Sequence, residues 1–298
     1  MLTIFATPKP FSGHIGVIQT NAIRSWFSLH PECEVILFGD EEGTAEVADE
    51  LGTRYIPDVD CNEYGTPLVS SLFSTAQTHA SHEVVCYVNA DIILTSDFIK
   101  VVRQIHERPS LVIGRRWDLD VEKPLDFSNP DWEIQLRSDL QMKGKLHGIY
   151  GIDYFAFSRG AYRDILPFAI GRNAWDNWLI YKARASGLPV IDATKAVTII
   201  HQNHDYSHLS KGQENDRKAE EFDIECTRNR ELLRGDYHAF GILEATHLLT
   251  PDGLKPTITM SLRYLAHRVY RLPELHPRLI PLVQLIKVLR FLYDRQRR

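Results

Sequence analysis

The sequence predicts an α/β protein with an open, mostly parallel sheet, flanking helices and a C-terminal helical extension. Three observations carry that expectation. In the first half, short β-rich runs alternate with amphipathic stretches. Oxygen-bearing residues stand directly after several of those runs. The composition, 298 residues with 44% hydrophobic and 24% charged, is that of a chain able to bury a full core.

Leu2 to Thr7 reads as the first strand, and the turn set Pro8, Pro10, Ser12 and Gly13 leads into a helix from about Ile15 to Leu29. Glu34 to Gly39 is the second strand, ending at Asp40; an acidic helix near Thr44 to Leu51 and a short strand Arg54 to Ile56 follow. Pro67 suits a first helical position and opens a helix to His79. Glu83 to Val88 is a buried strand running straight into Asn89-Ala90-Asp91. A helix capped by Thr95 or Ser96 reaches about Glu107, and Leu111 to Gly114 is a strand.

From Arg115 to Lys145 no period is sustained, which predicts a long irregular insertion near the site. Gly148 to Asp153 precedes an apolar strand, Tyr154 to Phe157. Ala174 to Ser186 is helical, and Val190-Ile191 and Val197 to Ile200 are strands, the last stopping at His201-Gln202-Asn203-His204-Asp205-Tyr206-Ser207-His208. A polar helix from about Gln213 to Leu233 and a basic, Pro-interrupted segment complete the chain. The expected division is a domain over 1–208 and a helical extension over 209–298.

Lys and Arg number 34 against 39 Asp and Glu, a formal charge of −5, which disfavours nucleic acid as a partner. Cys33, Cys61, Cys86 and Cys226 form no C-x-x-C pair, and Met1 to Phe5 lacks a basic stretch followed by an apolar run. No segment approaches the roughly 20 apolar residues that span a bilayer. The expectation is a reduced, cytoplasmic protein.

Ligands of open sheets sit beyond the carboxyl ends of the strands, where Thr7, Lys9, Asp40, Asn89 and Asp91 lie. Two oxygen-bearing side chains two residues apart, Asn89 and Asp91, suit a hard cation such as Mg²⁺ or Mn²⁺. A turn residue followed by a helix-capping aspartate is the plainer reading. His201 ends a strand and can complete the coordination begun by Asp91. A zinc site of His201, His204 and His208 competes with this, and solvated loop histidines are the third alternative. Asp176 lies between Trp175 and Trp178 at a helix start; the indoles suit sugar rings and the carboxylate suits a general base, or serves as a first-turn acid. Gly148 to Asp153 matches neither G-x-G-x-x-G nor a P-loop, yet Gly151 and Asp153 can approach hydroxyl groups.

In this order the segments resemble glycosyltransferases of the GT-A fold, the nucleotide-diphospho-sugar transferases, over about Leu2 to His208. The resemblance implies a sheet that binds a sugar nucleotide, with Asn89 and Asp91 at the D-x-D positions that hold Mn²⁺ or Mg²⁺. Gly151 and Asp153 then lie in the glycine loop, Asp176 at the acidic position facing the acceptor, and His201 at the late histidine. Asn89 stands where many members carry aspartate, which leaves one carboxylate and makes His201 more important. The activity implied is sugar transfer, UDP-linked by resemblance, to a glycan, lipid or other hydroxyl acceptor, with Lys9 or Arg24 near the diphosphate. A nucleotidyltransferase would need a Gly-rich N-terminal loop, and Thr7 to Gly13 has one glycine. A non-catalytic sugar-binding protein or scaffold would need neither metal nor carboxylates. Residues 261–298 carry nine Lys or Arg against Glu274 and Asp294, which suits peripheral contact with an anionic membrane or a docked basic helix.

Overall fold

The computed structural model describes residues 1–204, 223–234 and 238–257, together with positions 281 and 285. His208, the first part of the helix expected from Gln213, and otherwise the basic segment 261–298 lie outside the described residues.

The strands and helices in chain order are β1 (Leu2–Ala6), α1 (Gly13–Phe27), β2 (Cys33–Phe38), α2 (Thr44–Leu51), β3 (Arg54–Ile56), α3 (Val69–His79), β4 (Val84–Val88) and β5 (Ile92–Leu94). Then come α4 (Ile99–Glu107), β6 (Leu111–Ile113), β7 (Trp117–Leu119), α5 (Trp132–Lys143), β8 (Lys145–Leu146), β9 (Tyr154–Ser158) and α6 (Trp175–Ala185). The last described elements are β10 (Val190–Asp192), β11 (Ile199–Gln202), α7 (Ile224–Leu232), β12 (His247–Thr250) and β13 (Gly253–Pro256).

Nine of the described strands form one sheet in the order β3-β2-β1-β4-β9-β6-β10-β12-β13. β9 is antiparallel to both its neighbours and β13 to β12, while the remaining pairs are parallel. The period-two alternation of β1 shows why the sheet is covered on both faces. Leu2, Ile4 and Ala6 bury against Ala22, Ile23 and Trp26 of α1, with Val101 and Ile105 of α4 in the same cluster. Phe5 points the other way, toward Phe73 of α3 at 5.0 Å and into the layer that includes α6. Chain order reverses at β1, with β2 and β3 on one side and β4 on the other. In open α/β sheets such a reversal marks the place where the ligand crevice lies, outside the carboxyl edge.

Three expectations are corrected here. The stretch Arg115 to Lys145 is not irregular: it supplies β7, α5 and the start of β8, and a second sheet runs β5-β11-β7-β8. Its strands are two or three residues long and α5 buries only Leu136 and Leu140, too thin a stripe to show a period. Pro67 does not open α3; extended Leu68 precedes Val69, and Pro67 bridges to Cys61 instead. Residue 208 is no boundary, because β12 extends the large sheet beside β10, and Leu233, Phe240, Ile242 and Ala245 bury in the same layer as α3 and α6. No described helix is long and apolar enough to cross a membrane.

Candidate metal and nucleotide site

β4 leaves the large sheet at Val88 and turns through Asn89-Ala90-Asp91, closed by the Ile92 N–H donating to the Asn89 carbonyl at 3.0 Å. The chain re-emerges as β5 in the small sheet, with Ile92 opposite His201 of antiparallel β11. Asp91 is thereby set beside Gln202, whose N–H and Nε2 both donate to the Asp91 carbonyl, at 3.3 and 3.0 Å. The Gln202 amide also donates to Ile18 of α1 at 2.7 Å and accepts from Asn21 Nδ2 at 3.0 Å. A buried, paired amide thus fixes the backbone that carries Asp91.

Asp91 Oδ2 is 3.1 Å from His204 Nε2 and 3.6 Å from His201 Nε2. One ligand atom from each residue lies within 4.8 Å of the others. Burial acts to raise the Asp91 carboxyl, but the His204 hydrogen bond and the charges of His201, His204 and Lys9 outweigh it and hold it at about 2. Burial pushes the His201 imidazole down, and the opposing pull of Asp91 does not reverse this, which favours the neutral ring. An ionised carboxylate beside a neutral imidazole is the protonation state a cation needs.

The donor set fits a divalent cation. Asp91 Oδ1 is buried with no hydrogen-bond partner among the described residues. One carboxylate and two imidazoles suit Mn²⁺ better than Mg²⁺, which prefers an all-oxygen shell. The three-histidine zinc set involves His208, outside the described residues, whereas the described cluster pairs two imidazoles with a carboxylate.

Three residues beside this cluster escaped sequence reasoning. Asp118 of β7 is the register partner of His201 in parallel β11–β7. Arg116 Nε donates to Asp118 Oδ1 at 3.0 Å, and His147 Nδ1 lies 2.7 Å from Asp118 Oδ2. Burial acts to raise Asp118, but His147, Arg116 and His201 together hold it below the ordinary aspartate range. All three residues sit in or beside the stretch without a period, and their contacts span 29 or more positions except Arg116 to Asp118, so no local signal marks them.

The remaining expected residues divide. Thr7 and Lys9 follow β1 at the crevice; Thr7 Oγ1 donates to Phe38 O at 3.1 Å, Lys9 is fixed through its backbone by Gln19 at 2.7 and 2.8 Å, and its charge reaches Asp91. Asp40 is exposed after β2. Arg24 pairs with Glu50 at 2.7 Å. Asn89 ties the turn to Asp153: its Nδ2 donates to Asp153 Oδ1 at 2.7 Å. Asp153 is buried, and Arg116 grips both its oxygens at 3.0 Å, so it acts as a strut rather than an open hydroxyl receptor. Gly151 makes room for an imidazole: a Cβ there would lie 2.5 Å from His147 Cδ2.

Trp175 and Trp178 are core residues, not open sugar platforms. Trp175 lies 5.2 Å from Tyr87 and 5.4 Å from Phe155, and Trp178 lies 5.6 Å from Phe168. Indoles three apart on a helix share a face, and here that face is the buried one. Asp176, between them, is partly exposed in the first turn of α6. Ala174 at the N-cap has φ +85°, a strained conformation for a residue with a Cβ.

No protein-family model matches the chain, and no curated protein matches its sequence. Among solved structures it is similar to glucosyl-3-phosphoglycerate synthase from Mycobacterium tuberculosis in complex with Mn²⁺, UDP and phosphoglyceric acid. The identity is 19%, with 70% of this chain and 73% of that chain covered and a TM-score of 0.44. It is also similar to a mannosyltransferase from Pyrobaculum calidifontis in complex with GDP-Man and Mn²⁺: 15% identity, 70% and 59% covered, TM-score 0.43. A third is S. aureus TarS 1–349 in complex with UDP-GlcNAc: 14% identity, 78% and 70% covered, TM-score 0.47.

Proposed function

We propose that the chain is a metal-dependent glycosyltransferase that moves a sugar from a nucleotide-diphosphate sugar, UDP-linked by the sequence resemblance, to a hydroxyl acceptor. The observation that carries this reading is the Asp91–His201–His204 cluster at the carboxyl edge of an open α/β sheet, beside the crevice where strand order reverses. Its motif order is that of the GT-A resemblance.

Asp91, His201 and His204 would hold the cation, which when bound neutralises charge developing on the diphosphate leaving group. Thr7 and Lys9 line the β1 side of the crevice, where Lys9 adds positive charge beside the phosphates. Asp40 follows the neighbouring strand and faces the nucleoside end in this reading. Arg116 and Asn89 keep Asp153 paired and so stiffen the turn before β9. Asp176 is assigned to the acceptor side. In an inverting transfer its carboxylate takes the hydroxyl proton, the acceptor oxygen bonds to the anomeric carbon, and the electron pair of the broken bond leaves with the diphosphate. The basic stretch 261–298 adds peripheral contact with an anionic membrane to the proposal, on charge pattern alone.

Calorimetric titration with UDP and GDP, each with and without Mn²⁺, tests the central claim. The expected result is nucleotide binding that requires Mn²⁺ and disappears with EDTA or in Asp91→Ala. Nucleotide affinity indifferent to both would overturn it.

A further inference from the structure

We propose that Asp118 is a positioning residue for the cation site: it accepts the Nδ1–H of His201 and so turns the Nε2 lone pair toward Asp91. The assignment rests on the cation reading of the Asp91 cluster and extends it to a residue outside the motifs that prompted that reading.

Backbone register supplies the first argument. β11 runs between β5 and β7, with His201 opposite Ile92 on one side and Asp118 on the other. Register partners on neighbouring strands point to the same face, so the imidazole and the Asp118 carboxylate are lateral neighbours by construction. The ring nitrogens confirm it: His201 Nε2 is 3.6 Å from Asp91 Oδ2, and Nδ1 is 3.6 Å from Asp118 Oδ1. His201 thus bridges two carboxylates, one beside each nitrogen.

Protonation supplies the second. His201 is 4% exposed, and its Nδ1 is a buried atom with no hydrogen-bond partner among the described residues. An unpaired buried nitrogen is costly, and the Asp118 carboxylate stands slightly beyond bonding distance of it. Such contacts are often long in ligand-free sites and tighten when the site fills. With Nδ1 protonated, a neutral imidazole offers its other nitrogen as a ligand, the pattern by which an outer carboxylate fixes a metal-binding histidine.

The carboxylate is itself immobilised. Arg116 Nε holds Oδ1 at 3.0 Å and His147 Nδ1 holds Oδ2 at 2.7 Å. His147 is anchored in turn: its N–H donates to Arg116 O at 2.9 Å, its carbonyl accepts from the Arg115 guanidinium, and its ring lies over Gly151. The glycine loop is thereby linked to the cation site through His147, Asp118 and His201.

Long-range ¹H–¹⁵N correlation spectra of the full-length, metal-free protein read the His201 tautomer, with Mn²⁺ affinity measured by electron paramagnetic resonance. The wild type is expected to carry the proton on Nδ1. Asp118→Ala is expected to lose that tautomer preference and to bind Mn²⁺ about 10–100-fold more weakly. Asp118→Asn, which keeps one acceptor oxygen, should lie between the two. If Asp118→Ala does not fold, the wild-type tautomer and the Asn variant carry the test. An Nε2–H tautomer in the wild type, or unchanged Mn²⁺ affinity in the variants, overturns the proposal. Loss as complete as in Asp91→Ala also overturns it, by making Asp118 a ligand. Absence of Mn²⁺ binding by the wild type overturns the cation site alone, and the metal-free tautomer still decides the Asp118 contact.

Discussion

The ring of His147 reaches Asp118 because residue 151 has no side chain: a Cβ there would sit 2.5 Å from Cδ2 and 2.8 Å from Cγ of the imidazole. Gly151→Ala forces the ring or the loop to move, and overpacking of this kind typically costs about 1–3 kcal/mol. Urea denaturation of the two proteins reads it, and equal midpoints would show that the loop yields freely. Asp176→Asn tests a different claim, since it preserves size while removing the basic oxygen pair. If Asp176 is the acceptor-side base, transfer falls by about 10²–10⁴-fold while UDP and Mn²⁺ affinity stay within a few-fold. Full transfer by a stable variant removes Asp176 from the chemistry. The juxtaposition of Asp91 with His201 could be anticipated from the sequence because each closely follows a hydrophobic run read as a strand. Asp118 was not, because its meaning depends on a strand partner 83 positions away. Trp175 and Trp178 were misread for a related reason: an aromatic pair at helical spacing does not say which layer it faces.

At the level of elements, α7 organises the approach to Asp176. Asn229 is buried; its Oδ1 accepts from the Ala169 N–H at 2.9 Å, and its Nδ2 donates to Ala169 O at 3.0 Å and Asn173 O at 2.9 Å. Asn229→Ala strands one N–H and weakens two carbonyls in the loop before α6, an expected loss of about 2–4 kcal/mol. Chemical denaturation measures it, and a change below about 0.5 kcal/mol would mean that water replaces the amide. A second element, β2, is tied to its neighbours by Glu34, which accepts from Thr3 Oγ1 at 2.6 Å and from the Ser81 N–H and Oγ at 2.8 and 2.9 Å. Burial acts to raise this carboxyl, but those hydrogen bonds and the charge of His82 hold it below the ordinary glutamate range. Its stabilising contribution is therefore complete above the unfolded value of about 4.3 and is lost as pH falls through the lower folded value. The Tm gap between wild type and Glu34→Gln should be widest near neutrality and shrink from about pH 5 to pH 3. A gap independent of pH would refute the linkage. The first strands and helices were legible because their apolar periods are long; α5 and β7 were not, since their burial is supplied by partners distant in sequence. The boundary placed at 208 failed likewise, because β12 takes its place in the sheet from pairing with β10.

Charge is distributed unevenly over the whole molecule. The total is −5, yet residues 261–298 hold nine Lys or Arg against Glu274 and Asp294, a net of +7, which leaves −12 on the rest of the chain. Leu282, Val283, Leu285, Ile286, Val288, Leu289, Phe291 and Leu292 stand among those cations. Two destinations compete for such a segment: the protein's own acidic surface, or an anionic bilayer that takes the apolar side chains while its headgroups take the charges. Both are electrostatic and both weaken with salt, so salt sensitivity alone does not separate them. Lipid composition does, because only the bilayer contact grows with the fraction of anionic lipid, by about 1 kcal/mol for each Lys or Arg brought near the surface. Full-length protein is therefore expected to sediment with phosphatidylserine-containing vesicles at low salt and to remain in the supernatant with purely zwitterionic ones. Replacing Lys287, Arg290 and Arg295 by Gln should release it without altering Mn²⁺-dependent nucleotide binding, since none of the three is assigned to the cation or the nucleotide. Failure to sediment with anionic vesicles would leave the acidic body as the partner of the basic segment. The triple variant should then lower Tm, because it would remove attractions within the folded protein rather than attractions to lipid.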